Sequence, residues 1–268
     1  MAAELDLGAY LGRIGLQEPP QADLAGLRAL HLAHATSIPF ENLDVQVGLP
    51  IRLDLASLQA KLVQRRRGGY CFEHNTLFQA ALEAIGFEAI ACEARVRLGA
   101  PVLLPRTHML LLVRLDGGDW LADVGFGGEG LLGPVPLDGE PHAQFQNTYR
   151  VVVEKGLRVL QSFHHGAWDD LYAFEPTQRF PVDFELASHY TSTHPGSRFI
   201  QTLTAQLPGP EVRRILRNRA YAELRGDQVV GRELALEEVI PILREVFGIE
   251  VGDGTAFRAL ESKRVGPP

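Results

Sequence analysis

The first third of the chain has apolar residues at the three- and four-residue spacing that amphipathic helices show. Two predicted helices start after Asp23 and Asp54, and both aspartates are suitable N-caps. A third predicted helix runs from Cys71 to Ile85, because its leucines and phenylalanine fall on one face. Gly86 follows directly and suits the left-handed position that often ends a helix.

Beyond residue 87 the pattern changes to the two-residue alternation of β-strands. Strands are predicted at 90–98, 108–115, 120–124, 149–153 and 157–163. The last third mixes both patterns, with predicted helices at 183–190 and 236–247 and predicted strands at 199–207, 220–224 and 228–234. Residues 37–43 are predicted to form a loop, because Pro39 disfavours helix at the residue before it. Helices followed by strands indicate an α+β architecture, with boundaries near residues 87 and 185.

Composition narrows the class of protein. The chain has 268 residues, 46% of them hydrophobic, and a net charge of −7, which argues against a general nucleic-acid binder. The acidic N-terminus lacks the basic region of a signal peptide, and the most apolar run, 109–113, is too short to cross a bilayer. Two cysteines cannot build a disulfide framework, so we expect a cytoplasmic protein with reactive thiols and no membrane partner.

Cys71 is the leading candidate for a nucleophile. It follows Gly68-Gly69-Tyr70 and opens a predicted helix, where free backbone N–H groups and the helix dipole favour the thiolate. Glycines also permit a tight turn and the close approach of a ligand. Cys92 shares its strand parity with apolar residues and is predicted to lie in the core.

His108 and Asp123 complete a candidate triad. His108 opens an apolar strand, and Asp123 lies between Ala122 and Val124, where a buried carboxylate needs a partner. An imidazole N–H is such a partner, and the carboxylate would fix the tautomer of the ring. We therefore expect a thiolate–imidazolium pair and acyl transfer through Cys71.

Other motifs carry weaker signals. The glycine loop, residues 125–130, directly follows Asp123, and its backbone N–H groups are suited to a pyrophosphate, although the glycine spacing excludes a Rossmann site. No metal is expected, because the Cys71 and His74 spacing has no matching second pair. His74 is expected along the helix face, and His164 and His165 in a solvated loop. The run 65–67 is expected on an exposed face, although Arg67 could pair with Glu41.

Together these segments resemble the arylamine N-acetyltransferases. The matching motifs are residues 37–43, 67–73, 107–109, 122–127 and 192–199, in the same order as in that family. The resemblance implies a helical bundle (1–86), an antiparallel β-barrel (87–184) and an α/β lid (185–268), with a core like that of cysteine proteases and transglutaminases. It also implies a ping-pong reaction in which acetyl-CoA acetylates the cysteine and an arylamine, arylhydroxylamine or hydrazine accepts the acetyl group, as in xenobiotic metabolism.

The resemblance also assigns roles to residues. Cys71, His108 and Asp123 match the nucleophile, base and orienting carboxylate of the family. The implied contacts with CoA are Thr107, Gly125, Phe126, Gly127, Gly128 and Phe199, and the implied acceptor pocket contains Phe40, Tyr70 and Phe126. No permanently bound cofactor is implied. A cysteine hydrolase using the same triad and a binding module without activity remain alternatives, because a triad alone does not separate transfer from hydrolysis.

Overall fold

The computed structural model describes residues 4–100 and 102–261. The predicted segments 1–86 and 185–268 therefore extend at their outer ends over residues 1–3 and 262–268, which lie outside the described residues. The α-helices are α1 (Leu7–Ile14), α2 (Leu24–Ser37), α3 (Leu43–Gln46), α4 (Leu55–Leu58), α5 (Cys71–Ile85), α6 (Pro181–Thr193), α7 (Arg198–Gln201), α8 (Val239–Glu245) and α9 (Arg258–Glu261). A π-helix (Gln59–Gln64) continues α4, and a 3₁₀ turn (Leu236–Glu238) precedes α8.

Local signals set the starts and ends of the N-terminal helices. Asp23 caps α2 by accepting a hydrogen bond from the Gly26 N–H at 2.8 Å, and Asp54 caps α4 in the same way. Helix α5 begins at Cys71 and ends at Gly86, whose φ of 105° is in the left-handed region. The three helices predicted in the first third of the chain are thus confirmed.

The larger sheet is antiparallel and forms the barrel. Its described strands are β2 (Glu88–Val96), β3 (His108–Leu115), β4 (Gly118–Ala122), β5 (Val135–Pro136), β6 (His142–Gln144), β7 (Asn147–Glu154), β8 (Leu157–His164) and β9 (Ala167–Phe174). They are arranged in the order β5-β4-β3-β2-β9-β8-β7-β6, and β5 also contacts β7, so the barrel is nearly closed. The α+β fold class with a central antiparallel barrel is confirmed.

The smaller sheet combines one strand from the first third of the chain with four strands from the last third. It consists of β1 (Phe40–Glu41), β10 (Thr204–Leu207), β11 (Arg213–Arg217), β12 (Ala220–Arg225) and β13 (Gln228–Glu233), hydrogen-bonded in that order. The predicted loop 37–43 is therefore wrong in part, because Phe40 and Glu41 pair with Gln206 and Ala205. We call this sheet and its helices the lid.

Two further predictions need correction. The predicted strand 199–207 begins as helix α7, because Ser197 caps it by accepting from the Phe199 N–H, and becomes extended only at Thr204. The predicted helix 236–247 starts as a 3₁₀ turn and becomes α-helical at Val239. The predicted boundary at residue 185 falls inside α6, so the division into three domains stays a prediction.

Three apolar clusters hold these layers together: one under the N-terminal helices, one inside the barrel and one in the lid. The first also contains Cys71, Met109, Ala122 and Val124. The start of α5 is therefore packed directly against the barrel strands that carry the other candidate catalytic residues.

Candidate functional site

The turn before Cys71 depends on two glycines. The Gly69 carbonyl accepts from the Glu41 N–H at 2.7 Å, which draws the segment after Pro39 against the turn. A Cβ at Gly68 would lie 1.8 Å from the Pro39 carbonyl oxygen, and a Cβ at Gly69 would lie 2.6 Å from Glu73 Oε2. These glycines are therefore required for the approach of protein atoms in a tight turn, and the approach of a ligand stays a prediction.

A chain of ion pairs fixes the same turn. Arg67 Nη2 lies 2.7 Å from Glu41 Oε1 and 3.0 Å from Asp44 Oδ1, while Lys61 Nζ lies 2.7 Å from both Asp44 Oδ2 and Glu73 Oε1. The predicted pair of Glu41 with Arg67 is confirmed. The expectation that the run 65–67 is an exposed face is wrong for Arg67, whose side chain is only 18% exposed.

Sequence reasoning missed Lys61, Asp44 and Glu73 as members of this network. Burial raises the pKa of Asp44, but the charges of Lys61 and Arg67 outweigh it, and the net pKa is lowered. Asp44 is therefore ionised between Lys61 and Arg67, and the network holds the turn at the start of α5 in one geometry.

His108 and Asp123 are brought together by the β3–β4 hairpin. In this hairpin Leu111 of β3 is paired with Ala122 of β4. Continuing the same pairing three residues further would place residue 108 opposite residue 125. Residues 123 and 125 share one face of an extended chain, so His108 and Asp123 are expected on the same side. His108 Nε2 lies 2.7 Å from Asp123 Oδ2, and both residues are buried. The predicted meeting of an imidazole with a carboxylate is thus present in the structure.

Asp123 receives four hydrogen bonds. Its Oδ1 accepts from Asn75 Nδ2 and the Gly125 N–H, each at 2.9 Å, and its Oδ2 accepts from His108 Nε2 and the Tyr172 hydroxyl, the latter at 2.9 Å. Burial raises the pKa of Asp123, but the charge and hydrogen bond of His108, helped by Asn75 and Gly125, lower it overall. The carboxylate is therefore ionised and fixed in orientation.

Asn75 and Tyr172 are site residues that the sequence reasoning missed. Asn75 is fully buried, donates also to the Met109 carbonyl at 2.7 Å and accepts from the Val124 N–H at 3.2 Å, so it ties α5 to both strands. A signal for Asn75 existed, because it lies one helical turn after Cys71 on a face that must be buried. Tyr172 carried no such signal, since its contact depends on how the barrel closes.

The imidazole of His108 is electrostatically prepared for a charged state. Burial alone lowers its pKa, but the charge and hydrogen bond of Asp123, with a smaller contribution from the Cys71 side chain, raise the pKa to about 10. Because Nε2 bonds to Asp123, Nδ1 is the ring atom left for the thiol. Cys71 Sγ also lies 3.7 Å from the Thr107 carbonyl oxygen.

The predicted aromatic residues lie in two groups. The Phe126 ring lies 5.1 Å from the imidazole of His108. The Phe199 ring lies 6.0 Å from Phe40 and 5.5 Å from Tyr70, which is itself only 1% exposed. The lid residue Phe199 thus packs against Phe40 and Tyr70, and the assignment of these rings to CoA or to the acceptor stays a prediction.

The glycine loop begins against the nucleophile. A Cβ at Gly125 would lie 2.8 Å from the Cys71 Cα, so only glycine lets the two backbones meet here. Two N–H groups of the loop already have protein acceptors. The Gly125 N–H donates to Asp123 Oδ1, and the Gly130 N–H donates to the Gly127 carbonyl at 2.8 Å. The predicted pyrophosphate contacts therefore depend on the later residues, Phe126 to Gly128.

Among the described residues, His74, His164 and Cys92 form no hydrogen bond with Cys71, His108 or Asp123. His74 is fully buried, with Nδ1 3.0 Å from His34 Nε2, and burial lowers its pKa to about 4, so the expectation of a helix-face residue is wrong. His164 lies 3.0 Å from Glu129 Oε2 instead of in a solvated loop. Cys92 is confirmed as a core residue, and burial raises its pKa to about 12.

Residues 4–100 and 102–261 contain neither a helix suited to cross a membrane nor a cluster of metal-binding side chains. No helix in these ranges combines the length and apolar character needed to cross a membrane. No group of three or more histidine, cysteine, aspartate or glutamate side chains there could hold a metal ion.

Comparison with known proteins places this geometry in a family. The family model described as N-acetyltransferase matches residues 23–256. The arylamine N-acetyltransferase of Mycolicibacterium smegmatis is 41% identical over 257 residues, which cover 93% of this chain and 94% of the relative.

Solved structures agree with the sequence comparisons. The M. smegmatis arylamine N-acetyltransferase superposes with a TM-score of 0.90 at 38% identity, covering 96% of this chain and all of that one. The Mycobacterium marinum arylamine N-acetyltransferase in complex with CoA gives a TM-score of 0.87 at 36% identity, covering 91% of this chain and 93% of that one. The chain belongs to the arylamine N-acetyltransferase family.

Proposed function

We propose that this protein transfers an acetyl group from acetyl-CoA to an arylamine, arylhydroxylamine or hydrazine by a ping-pong mechanism through acetyl-Cys71. The observation that carries the proposal is the buried His108–Asp123 pair beside Cys71 at the start of α5, where Cys71 Sγ lies 3.7 Å from the carbonyl oxygen of Thr107, the residue before His108. The family membership supports the reaction class. The reaction needs a reduced thiol, and both cysteines are free, which fits a cytoplasmic location.

In the first half-reaction the Cys71 thiolate attacks the thioester carbonyl carbon of acetyl-CoA. A carbon–sulfur bond to Cys71 forms, and the tetrahedral intermediate collapses as the bond to the CoA sulfur breaks. The leaving thiolate takes the proton of the His108 imidazolium, so CoA leaves as the thiol. Acetyl-Cys71 and a neutral imidazole remain, with Asp123 holding the Nε2 proton in place.

In the second half-reaction the neutral amine nitrogen attacks the acetyl carbon on Cys71. His108 accepts the proton that the amine loses, and the bond to the Cys71 sulfur breaks. The products are the acetylated amine and a restored thiolate–imidazolium pair, so atoms and protons balance over the cycle.

The substrate contacts follow from the position of the site. The M. marinum protein, a relative of this chain, has been solved with CoA bound. For this chain we propose contacts of CoA with Thr107, Phe199 and the loop Gly125, Phe126, Gly127 and Gly128. We further propose that Phe40, Tyr70 and Phe126 line the acceptor pocket, because Phe126 packs against the His108 imidazole, Tyr70 precedes Cys71, and Phe40 and Tyr70 both pack against Phe199.

Intact-mass analysis after incubation with acetyl-CoA alone tests the proposal. We expect one added acetyl group, mapped to Cys71, together with the release of CoA. The Cys71→Ala variant should gain no acetyl group, and the matched Cys92→Ala variant should gain one, because Cys92 lies in the barrel core. The absence of an adduct and of CoA release would contradict the proposal. An adduct that water removes as fast as an arylamine does would indicate a hydrolase.

A further inference from the structure

Arg213 reaches the glycine loop from strand β11 of the lid. The residue is only 6% exposed. Its Nη1 donates to the carbonyl oxygens of Gly128 at 2.6 Å and Gly130 at 2.9 Å, and its Nη2 donates to the Tyr149 hydroxyl at 3.0 Å. The guanidinium thus joins the lid, the barrel and the loop that starts beside Cys71.

The positive charge of Arg213 is not neutralised by its hydrogen-bond partners, because two are backbone carbonyls and one is a phenol. In residues 4–100 and 102–261 no carboxylate forms an ion pair with it, and the acidic residue of the loop, Glu129, instead contacts His164 at 3.0 Å. Burying a charge without an opposite charge is unfavourable. A site that keeps such a charge is suited to an anionic ligand.

The loop itself has donors to offer to an anion. Within the described part of the chain, the N–H groups of residues 126–129 have no protein acceptor. The carbonyl and the N–H of one planar trans peptide point in opposite directions. Because the Gly128 carbonyl points to Arg213, the Glu129 N–H points away from the guanidinium. A hydrogen bond to a cation also polarises the peptide and strengthens its N–H as a donor.

The lid sheet supports the loop on the same side. A Cβ at Gly128 would lie 2.6 Å from Gln206 Oε1 and 2.9 Å from Ile215 Cδ1, so the loop rests directly on strands β10 and β11. Movement of the lid would therefore move the loop, and Arg213 provides the polar part of this connection.

We propose that Arg213 is a positioning residue for the phosphate groups of the acyl donor. It holds the Gly128 and Gly130 carbonyls, directs the free N–H groups of the loop toward the pyrophosphate, and favours the anion through the polarised peptides. This inference rests on the proposed function, since it takes acetyl-CoA as the donor. It extends the proposed site from the loop to a residue of the lid.

The test compares two acetyl donors in steady-state kinetics. Acetyl-CoA carries phosphates, whereas the acetyl thioester of N-acetylcysteamine has the same reactive group without them. For Arg213→Met we expect the KM for acetyl-CoA to rise about 10- to 100-fold, because the loop N–H groups lose the orientation and the polarisation that favour the phosphates. The rate with the phosphate-free thioester should change by less than about threefold. Arg213→Lys keeps the charge but not the forked geometry, so its KM should fall between the two.

Arg217→Met is the matched control. Arg217 is exposed on the same strand, and its replacement removes the same charge, so both donors should react as in the wild type. An unchanged KM for acetyl-CoA in Arg213→Met would overturn the inference, and so would an equal loss with both donors, which would indicate a structural role only. If the wild type reacts with neither donor, the proposed function itself fails, which is a distinct outcome.

Discussion

Replacing Asp123 by Asn tests the electrostatic basis of the site. The change keeps the size of the side chain but removes the charge opposite His108. An amide nitrogen in the place of Oδ2 would face the His108 Nε2–H, which now donates to Asp123. Two donors cannot bond to each other, so the imidazole must move its proton to Nδ1, the atom that faces Cys71. The Nδ1 atom then carries a proton and cannot accept one from Cys71, and no carboxylate stabilises the imidazolium form of His108.

The magnitude follows from the pKa of His108. In the wild type Asp123 and Cys71 overcome burial and raise this pKa from 6.5 to about 10, which corresponds to about 5 kcal/mol in favour of the imidazolium as an upper bound. Without the carboxylate, burial dominates and the pKa falls below its ordinary value. We expect the rate of Cys71 acetylation to fall about 10³- to 10⁴-fold at neutral pH.

The assay is the pH dependence of Cys71 alkylation by iodoacetamide, mapped by mass spectrometry with Cys92 as the internal control. In the wild type we expect Cys71 to react faster than Cys92, because the charged His108 stabilises the Cys71 thiolate, whereas burial raises the pKa of Cys92 to about 12. In Asp123→Asn the reaction of Cys71 should be slower than in the wild type. If the two profiles coincide, the argument that Asp123 sustains the charged pair is refuted.

The pH dependence of the free energy of unfolding tests the same two charges independently. The raised pKa of His108 contributes stability that is complete below pH 6.5 and is lost as the pH rises toward about 10. The lowered pKa of Asp123 contributes stability that is present above about pH 3.8 and is lost as the pH falls through its folded value. Urea unfolding should therefore show the largest difference between wild type and Asp123→Asn between about pH 4 and 6.5.

Three other substitutions test the packing around the site. Gly68→Ala should lower the free energy of unfolding by about 3 kcal/mol or more in urea denaturation, because its Cβ would lie 1.8 Å from the Pro39 carbonyl oxygen. The control Gly12→Ala lies in helix α1, where an added Cβ meets no atom within 4 Å, and should be neutral or slightly stabilising. Lys61→Met should lower the free energy of unfolding by about 3–5 kcal/mol, since the buried Glu73 loses its cation and Asp44 keeps only Arg67, whereas the exposed Lys155→Met should change little; equal effects would contradict the network. Tyr172→Phe removes one of the four donors to Asp123 and should lower the acetylation rate about tenfold in stopped-flow assays with the fold retained; an unchanged rate would show that this donor is dispensable.

Elements with local signals could be predicted from the sequence, and elements that depend on distant partners could not. Helix α5 was predicted with its observed ends, because the apolar face and Gly86 lie within the segment itself. Helix α7 was predicted as a strand, because the cap at Ser197 is weak against the β-forming residues after it. The pairing of Phe40 and Glu41 with β10 joins segments about 165 residues apart, and the short motif 37–43 carries no sign of it.

The glycines near Cys71 were correctly predicted to allow close approach, but the sequence did not show which atoms approach them. Gly68, Gly69 and Gly125 were predicted as places where a ligand comes close, yet each admits protein atoms: the Pro39 carbonyl, the Glu73 carboxylate and the Cys71 backbone. Close approach to the nucleophile explains why glycine is needed at Gly125, and it explains how a hairpin carrying His108 and Asp123 can pack on the first turn of α5. The hairpin register alone would have placed His108 and Asp123 on one face. What the sequence could not supply was the distance from that face to Cys71, which the fit of these glycines sets.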